Sequence, residues 1–152
     1  MPNRSTDELF QLVKSLEKAE KRNFKLFAKR NTTGPDLKII QLFDALDKMD
    51  AYDESLLLKK NKGIQKRQLS NLKSHLYRQI LASLRRLKDE NNIELELHEF
   101  MDNARILYNK GLYLQSLKVL DRIKEFAREK NQVTFCLQAL IFEKKIEALY
   151  IT

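Results

Sequence analysis

The sequence predicts an all-α protein, an antiparallel array of about six to eight helices joined by short loops. Three observations predict it. Gly and Pro are scarce, three and two in 152 residues, so few interruptions are built in. Strand-like Val/Thr alternation is nearly absent, while the good helix formers Leu, Lys, Glu, Gln, Arg and Ala dominate. Apolar residues recur at three- and four-residue spacing, the period of a helix with one buried face.

The elements follow in order. Ser5-x-x-Glu8 has the spacing of a capping box, in which hydroxyl and carboxylate satisfy the first unpaired backbone N–H groups. The helix behind it carries Leu9, Leu12, Val13 and Leu16 on one face. It continues, or bends and restarts, through "EKAEKRNFKLFAKR", where Phe24, Phe27 and Ala28 mark the buried side. "NTTGPD" breaks the chain, and Pro35 suits the first turn of the next helix. That helix is expected to bury Leu37, Ile40, Phe43, Leu46 and Met49. "DAYDESLLLKK" reads as a short helix with acids in its first turn and lysines in its last, complementing the helix dipole. Gly63 is expected to stop it.

A long helix over Ile64 to Lys88 comes next, and "DENN" at 89–92 marks a boundary. Beyond it Ile93, Leu97, Phe100, Met101, Ala104, Leu107 and Tyr108 share a broad face. Gly111 sits in a tight turn, a second helix buries Leu117, Leu120, Ile123 and Ala127, and a third runs from near Gln132 to the end. Two units are therefore expected, 1–90 and 91–152, sharing a core. The charge divides the same way. Residues 1–90 hold 20 Lys/Arg against 12 Asp/Glu, whereas residues 91–152 hold nine of each. All the net charge of +8 lies in the first unit, which implies different surroundings or partners for the two.

The stretch 97–128, carried by "FMDNARILYNKGLYLQSLKVLDRIKEFAR" from its first bulky position at Phe100 to Arg128, resembles a tetratricopeptide repeat. Ala104 matches the small residue where the two helices approach, and Gly111 and Tyr113 match the turn glycine and the aromatic after it. Ser116 replaces the usual small Ala, Leu120 the usual aromatic and Ile123 the usual Ala, while Leu107 stands where an aromatic is more usual. Asn103 and Arg128 depart from the pattern, where a Leu and a closing Pro belong. The resemblance covers about a fifth of the chain. It implies a helix hairpin followed by one further helix, and a protein-interaction scaffold rather than a chemistry.

One repeat cannot bury both of its faces. Residues 132–152 hold 13 apolar residues among 21, too many for a capping helix with a polar outer side. Further repeats downstream, or a homodimer through 132–152, are expected to cover them.

Chemistry is thinly represented. Glu94, His98 and Asp102 fall four apart on one helical face, but an HExxH-like spacing would need His at 102. These residues read as an acidic first turn with a solvated histidine. His75 lies on the basic helix, and Cys136 has no companion at a catalytic spacing. The three glycines are isolated and form no phosphate-cradling loop. No enzyme activity, cofactor or metal is expected. A lone cysteine in an apolar stretch, with no secretory h-region and no membrane-length apolar run, leads to the expectation of a cytoplasmic protein.

The stretch from Lys59 to Lys88 holds ten Lys/Arg and no acid. Its leucines form the core stripe, and Tyr77 and Leu81 widen it. Arg67, Arg78 and Arg85 fall on the opposite side as an outward ridge about 27 Å long. The leading expectation is a non-enzymatic protein–protein interaction module, binding a protein or peptide. Phe100, Tyr108, Tyr113 and Tyr150 are its candidate partner-facing or core aromatics. The alternative is a nucleic-acid-associated or regulatory protein using the basic helix 64–88. A membrane partner is not expected, because the apolar arc is needed for the core.

Overall fold

The computed structural model describes residues 7–30, 36–87 and 92–149. Among these the chain is all-α, with eight helices and no strand. It divides into two compact units, Met1–Leu87 and Lys88–Thr152, each with a hydrophobic cluster of its own.

The first unit contains α1 (Glu8–Ser15), α2 (Lys18–Arg30), α3 (Asp36–Lys48), α4 (Glu54–Lys60) and α5 (Lys66–Arg86). The cap of α1 is Asp7, whose Oδ1 accepts from the Phe10 N–H at 2.9 Å. This corrects the capping box expected at Ser5, which lies outside the described residues. Asp and Ser cap about equally well, and Asp7, directly before the first helical residue, is the one whose side chain reaches the orphan N–H groups. The chain bends at Leu16, and the Glu17 N–H donates to Glu20 at 2.8 Å where α2 restarts.

Phe24 of α2 stacks tilted on Phe43 of α3, ring centres 4.7 Å apart, and both are fully buried. Lys21–Asp47 at 2.7 Å and Lys25–Asp44 at 2.6 Å flank that contact. The buried stripe of α3 is Ile39, Leu42, Phe43 and Leu46, with Ile40 and Met49 at its edge. Leu37 is 62 % exposed, against expectation. It lies about 200° around the helix from Ile39, so the helix cannot bury both. Pro35 lies outside the described residues.

The carboxylate of Asp53 caps α4, accepting from Leu56 N–H at 3.1 Å. Asn61 closes the helix, its backbone N–H and side-chain amide both donating to the Leu57 carbonyl. Gly63 does not supply the expected left-handed stop; among the described residues only Gly111 and Asn131 have positive φ. Helix α5 is two residues shorter at each end than expected, and Ile64 is buried in the loop before it. It buries Leu69, Leu76, Ile80 and Ser83, whereas Leu81 is exposed. Ser83 tolerates burial because its hydroxyl donates to the Ile80 carbonyl at 2.8 Å.

The second unit is α6 (Ile93–Asn109), α7 (Tyr113–Glu129) and α8 (Val133–Glu147), with α7 packed on both α6 and α8. Asn92 caps α6 by accepting from Leu95 N–H at 3.3 Å. Both turns are built alike. Gly111 (φ 76) and Asn131 (φ 56) are left-handed. The residue after each donates back to a carbonyl five earlier, Leu112 to Leu107 at 2.9 Å and Gln132 to Ala127 at 2.7 Å. These are Schellman closures, which satisfy the last carbonyls and reverse the chain. Small residues bring α6 and α7 together: Ser116, fully buried, donates its hydroxyl to the Ala104 carbonyl at 2.8 Å.

Candidate interaction surfaces

Three surfaces stand out, two of them in the second unit. The first is a groove of about 560 Å³ between α6 and α8, with Arg105, Tyr108 and Asn109 on one wall and Gln138, Ile141, Phe142 and Lys145 on the other. On each helix these positions follow the three- and four-residue spacing of a single face. Tyr108 meets Phe142 edge-on at 5.5 Å, so the floor is aromatic, and behind it Tyr108 lies tilted against Tyr113 at 5.4 Å. The Arg105 guanidinium lies 5.6 Å over Phe142 and the Lys145 ammonium 5.1 Å over Tyr108. Both charged groups lining the groove are cations.

The second surface is the outer face of α8. Val133, Leu137, Leu140 and Ile141 are exposed, and their spacing places them together on one side. Phe135, Ala139 and Ile146 are buried on the other side. Helix α8 is therefore apolar on two opposite faces. That arrangement suits a helix sandwiched between neighbours.

The third surface is the ridge on α5, where Arg67, Arg78 and Arg85 are all exposed. Arg67 donates to the Gln65 side chain at 2.8 Å and Arg78 to the Ser74 carbonyl at 3.3 Å. Arg78 stands at the rim of an open groove lined also by Asp7, Glu8 and Glu54. Acids thus moderate the positive potential on that flank.

The candidate aromatics separate by position. Phe100 packs edge-on to Phe126 at 6.3 Å beside the core, and Tyr113 leans on Tyr108. Tyr108 lines the groove. Tyr150 lies outside the described residues. Arg105, Ile141 and Lys145 were not singled out from the sequence. Their signal was the matching i, i+3, i+4 faces of two helices that are not adjacent in the chain.

His98 sets its ring edge-on to Phe135 at 4.8 Å. Among the described residues no group of three His, Cys, Asp or Glu is placed to hold a metal ion. Cys136 is half-buried beside the core of the second unit.

Perturbed titration belongs to ion-paired lysines. Hydrogen bonds to Asp121 and Glu143, at 2.8 and 2.7 Å, raise Lys124 above the usual lysine value, and the one to Glu143 ties α7 to α8. Burial pulls Lys73 down, but hydrogen bonds to Asp7 and Tyr52 outweigh it and leave a net rise. No described helix is long and apolar enough to cross a membrane. No protein-family model, no curated protein and no solved structure matches this chain.

Proposed function

We propose that this chain is a protein-interaction module of helical-repeat type, working by binding rather than by catalysis. The observation that carries the reading is the two-sided apolar character of α8, with Phe135, Ala139 and Ile146 buried and Val133, Leu137, Leu140 and Ile141 exposed on the reverse. A terminal helix facing only water would keep that reverse side polar, whereas an interior member of a helical stack is apolar on both.

The α6–α7–α8 succession, with its like turns, supports the tetratricopeptide-like reading of residues 97–128. From Ile93 to Val133 the helices advance 40 residues, more than the ~34 of that repeat, so the kinship is to stacked helix pairs in general. The α6–α8 groove is the natural seat for an extended peptide. Its aromatic floor supplies contact area, and Arg105 and Lys145 favour a ligand bearing carboxylates. No cofactor enters this reading.

Static light scattering over a concentration series tests it. The outer face of α8, unsatisfied in the chain alone, should drive reversible self-association, and Leu137→Glu with Ile141→Glu should abolish it. A wild-type chain that stays strictly monomeric and free of aggregation to high concentration overturns the reading.

A further inference from the structure

The arginine ridge of α5 is one part of a larger surface. Helix α2 packs against α5, and two contacts mark the seam. The Arg86 guanidinium lies 5.2 Å over the Phe27 ring, and the Asn23 amide reaches the Ser83 carbonyl at 3.5 Å. Arg30 follows Phe27 by one turn of α2, and Arg22 precedes it by five residues. Arg22, Arg30, Arg78, Arg85 and Arg86 are all exposed. No acid occurs in α2 after Glu20 and none occurs anywhere in α5. Asp44 and Asp47 of α3 are engaged by Lys25 and Lys21, and of the three acids in the groove beside Arg78, Asp7 is paired with Lys73 while Glu8 and Glu54 border the face at that end only.

We propose that this α2–α5 face binds the phosphodiester backbone of a nucleic acid without reading base sequence. Its chemistry separates it from a protein-docking patch. The centre of a protein interface is depleted in charge and built on aromatic anchors. Here Phe24 is fully buried, Phe27 lies beneath Arg86, and the large apolar side chains that α2 and α5 expose are two isolated leucines, Leu26 and Leu81, with no aromatic among them. Guanidinium groups, which pair phosphate oxygens bidentately, make up the face instead. The exposed Asn71 and Ser74 of α5 lie between Arg67 and Arg78 and add hydrogen-bonding groups of the kind that contact phosphates. Base readout is absent from the proposal because no exposed aromatic is offered for stacking.

Fluorescence anisotropy with a labelled mixed-sequence duplex of ~30 base pairs, from about 50 to 200 mM NaCl, tests the proposal. The full chain should bind at the low-salt end, with log K falling linearly with log salt. Replacing Arg22, Arg30, Arg78 and Arg85 by Gln should weaken binding at least tenfold at 50 mM. It should also lower the magnitude of the salt slope by up to about 3.6, roughly 0.9 for each phosphate no longer neutralised. The wild-type slope is informative even without that variant. No binding at 50 mM, or a slope unchanged in the variant, overturns the assignment. So does displacement of the duplex by polyglutamate at equal charge, which would mark the face as one for acidic proteins. Arg105→Gln with Lys145→Gln in the other unit should leave duplex binding unchanged, and loss of binding there would place the interface elsewhere.

Discussion

The buried hydroxyl of Ser116 shows how one residue sets the spacing of two helices. It donates to the Ala104 carbonyl at 2.8 Å with no exposure to solvent. The approach of α6 to α7 therefore depends on a side chain of that size. Ser116→Ala should cost about 1 kcal/mol, the net worth of one hydrogen bond. Ser116→Leu should cost more, because overpacking forces the helices apart by an amount typically worth about 1–3 kcal/mol. Urea denaturation of both variants measures the order.

Lys124 makes a second residue-scale prediction. Its folded pKa is raised above 10.5 by Asp121 and Glu143, so the fold favours its charged form. That contribution is fully present below the unfolded value and is lost as pH rises through the higher folded one. The stability difference between wild type and Lys124→Met should stay level from pH ~7 to ~10 and shrink above 10.5. Thermal unfolding across that range would show it; a difference that grows with pH would contradict the pairing.

At the scale of elements, the two like turns make a controlled comparison. A Cβ added at Gly111 meets nothing within 4 Å, so Gly111→Ala isolates the backbone penalty of φ +76. That penalty should be about 1–2 kcal/mol. Asn131 already carries a side chain at φ 56, and Asn131→Gly should be neutral or slightly stabilising. Calorimetry on the pair decides the matter.

Gly111 was legible in the sequence as a turn; Asn131 was not, because asparagine signals caps and turns alike. Other elements divide in the same way. The acid-first, lysine-last pattern of α4 and the stripe of α7 could be read directly, since propensity, dipole and period agreed there. The start of α1 was misplaced because Ser5 and Asp7 are both good caps and local spacing cannot rank them. Leu37 and Leu81 were assigned to the core because a stripe read at 100° per residue leaves its edges open, and only the neighbouring helices fix them. Ser83 was invisible for the opposite reason: its polarity suggests water, and its hydrogen bond to Ile80 is not encoded in any spacing. The α6–α8 groove joins helices separated by a third, so no local pattern could have assembled it.

For the whole molecule, the uneven charge and the division into two units coincide. Residues 1–87 hold 19 Lys/Arg against 10 Asp/Glu, a net +9 that lies wholly in the unit ending at Leu87, while the helices after it are balanced. A polyanion would therefore engage the first unit. The two proposed activities make no competing demand on the same side chains.

The reach of the tying interactions within each unit also has a consequence in time. In the second unit they are short-range in sequence, 12 residues for Ser116 to Ala104 and 19 for Lys124 to Glu143. The first unit must bring Lys73 to Asp7 across 66 residues and Asn23 to Ser83 across 60. Closing the longer loops carries the larger entropic cost before any contact rewards it, and low contact order folds faster. Pulse-labelled hydrogen exchange during refolding should find α6 and α7 protected before α5. Although it is made after the first on the ribosome, the second unit would be the quicker to order, and the first would wait for α5 to emerge before it could close.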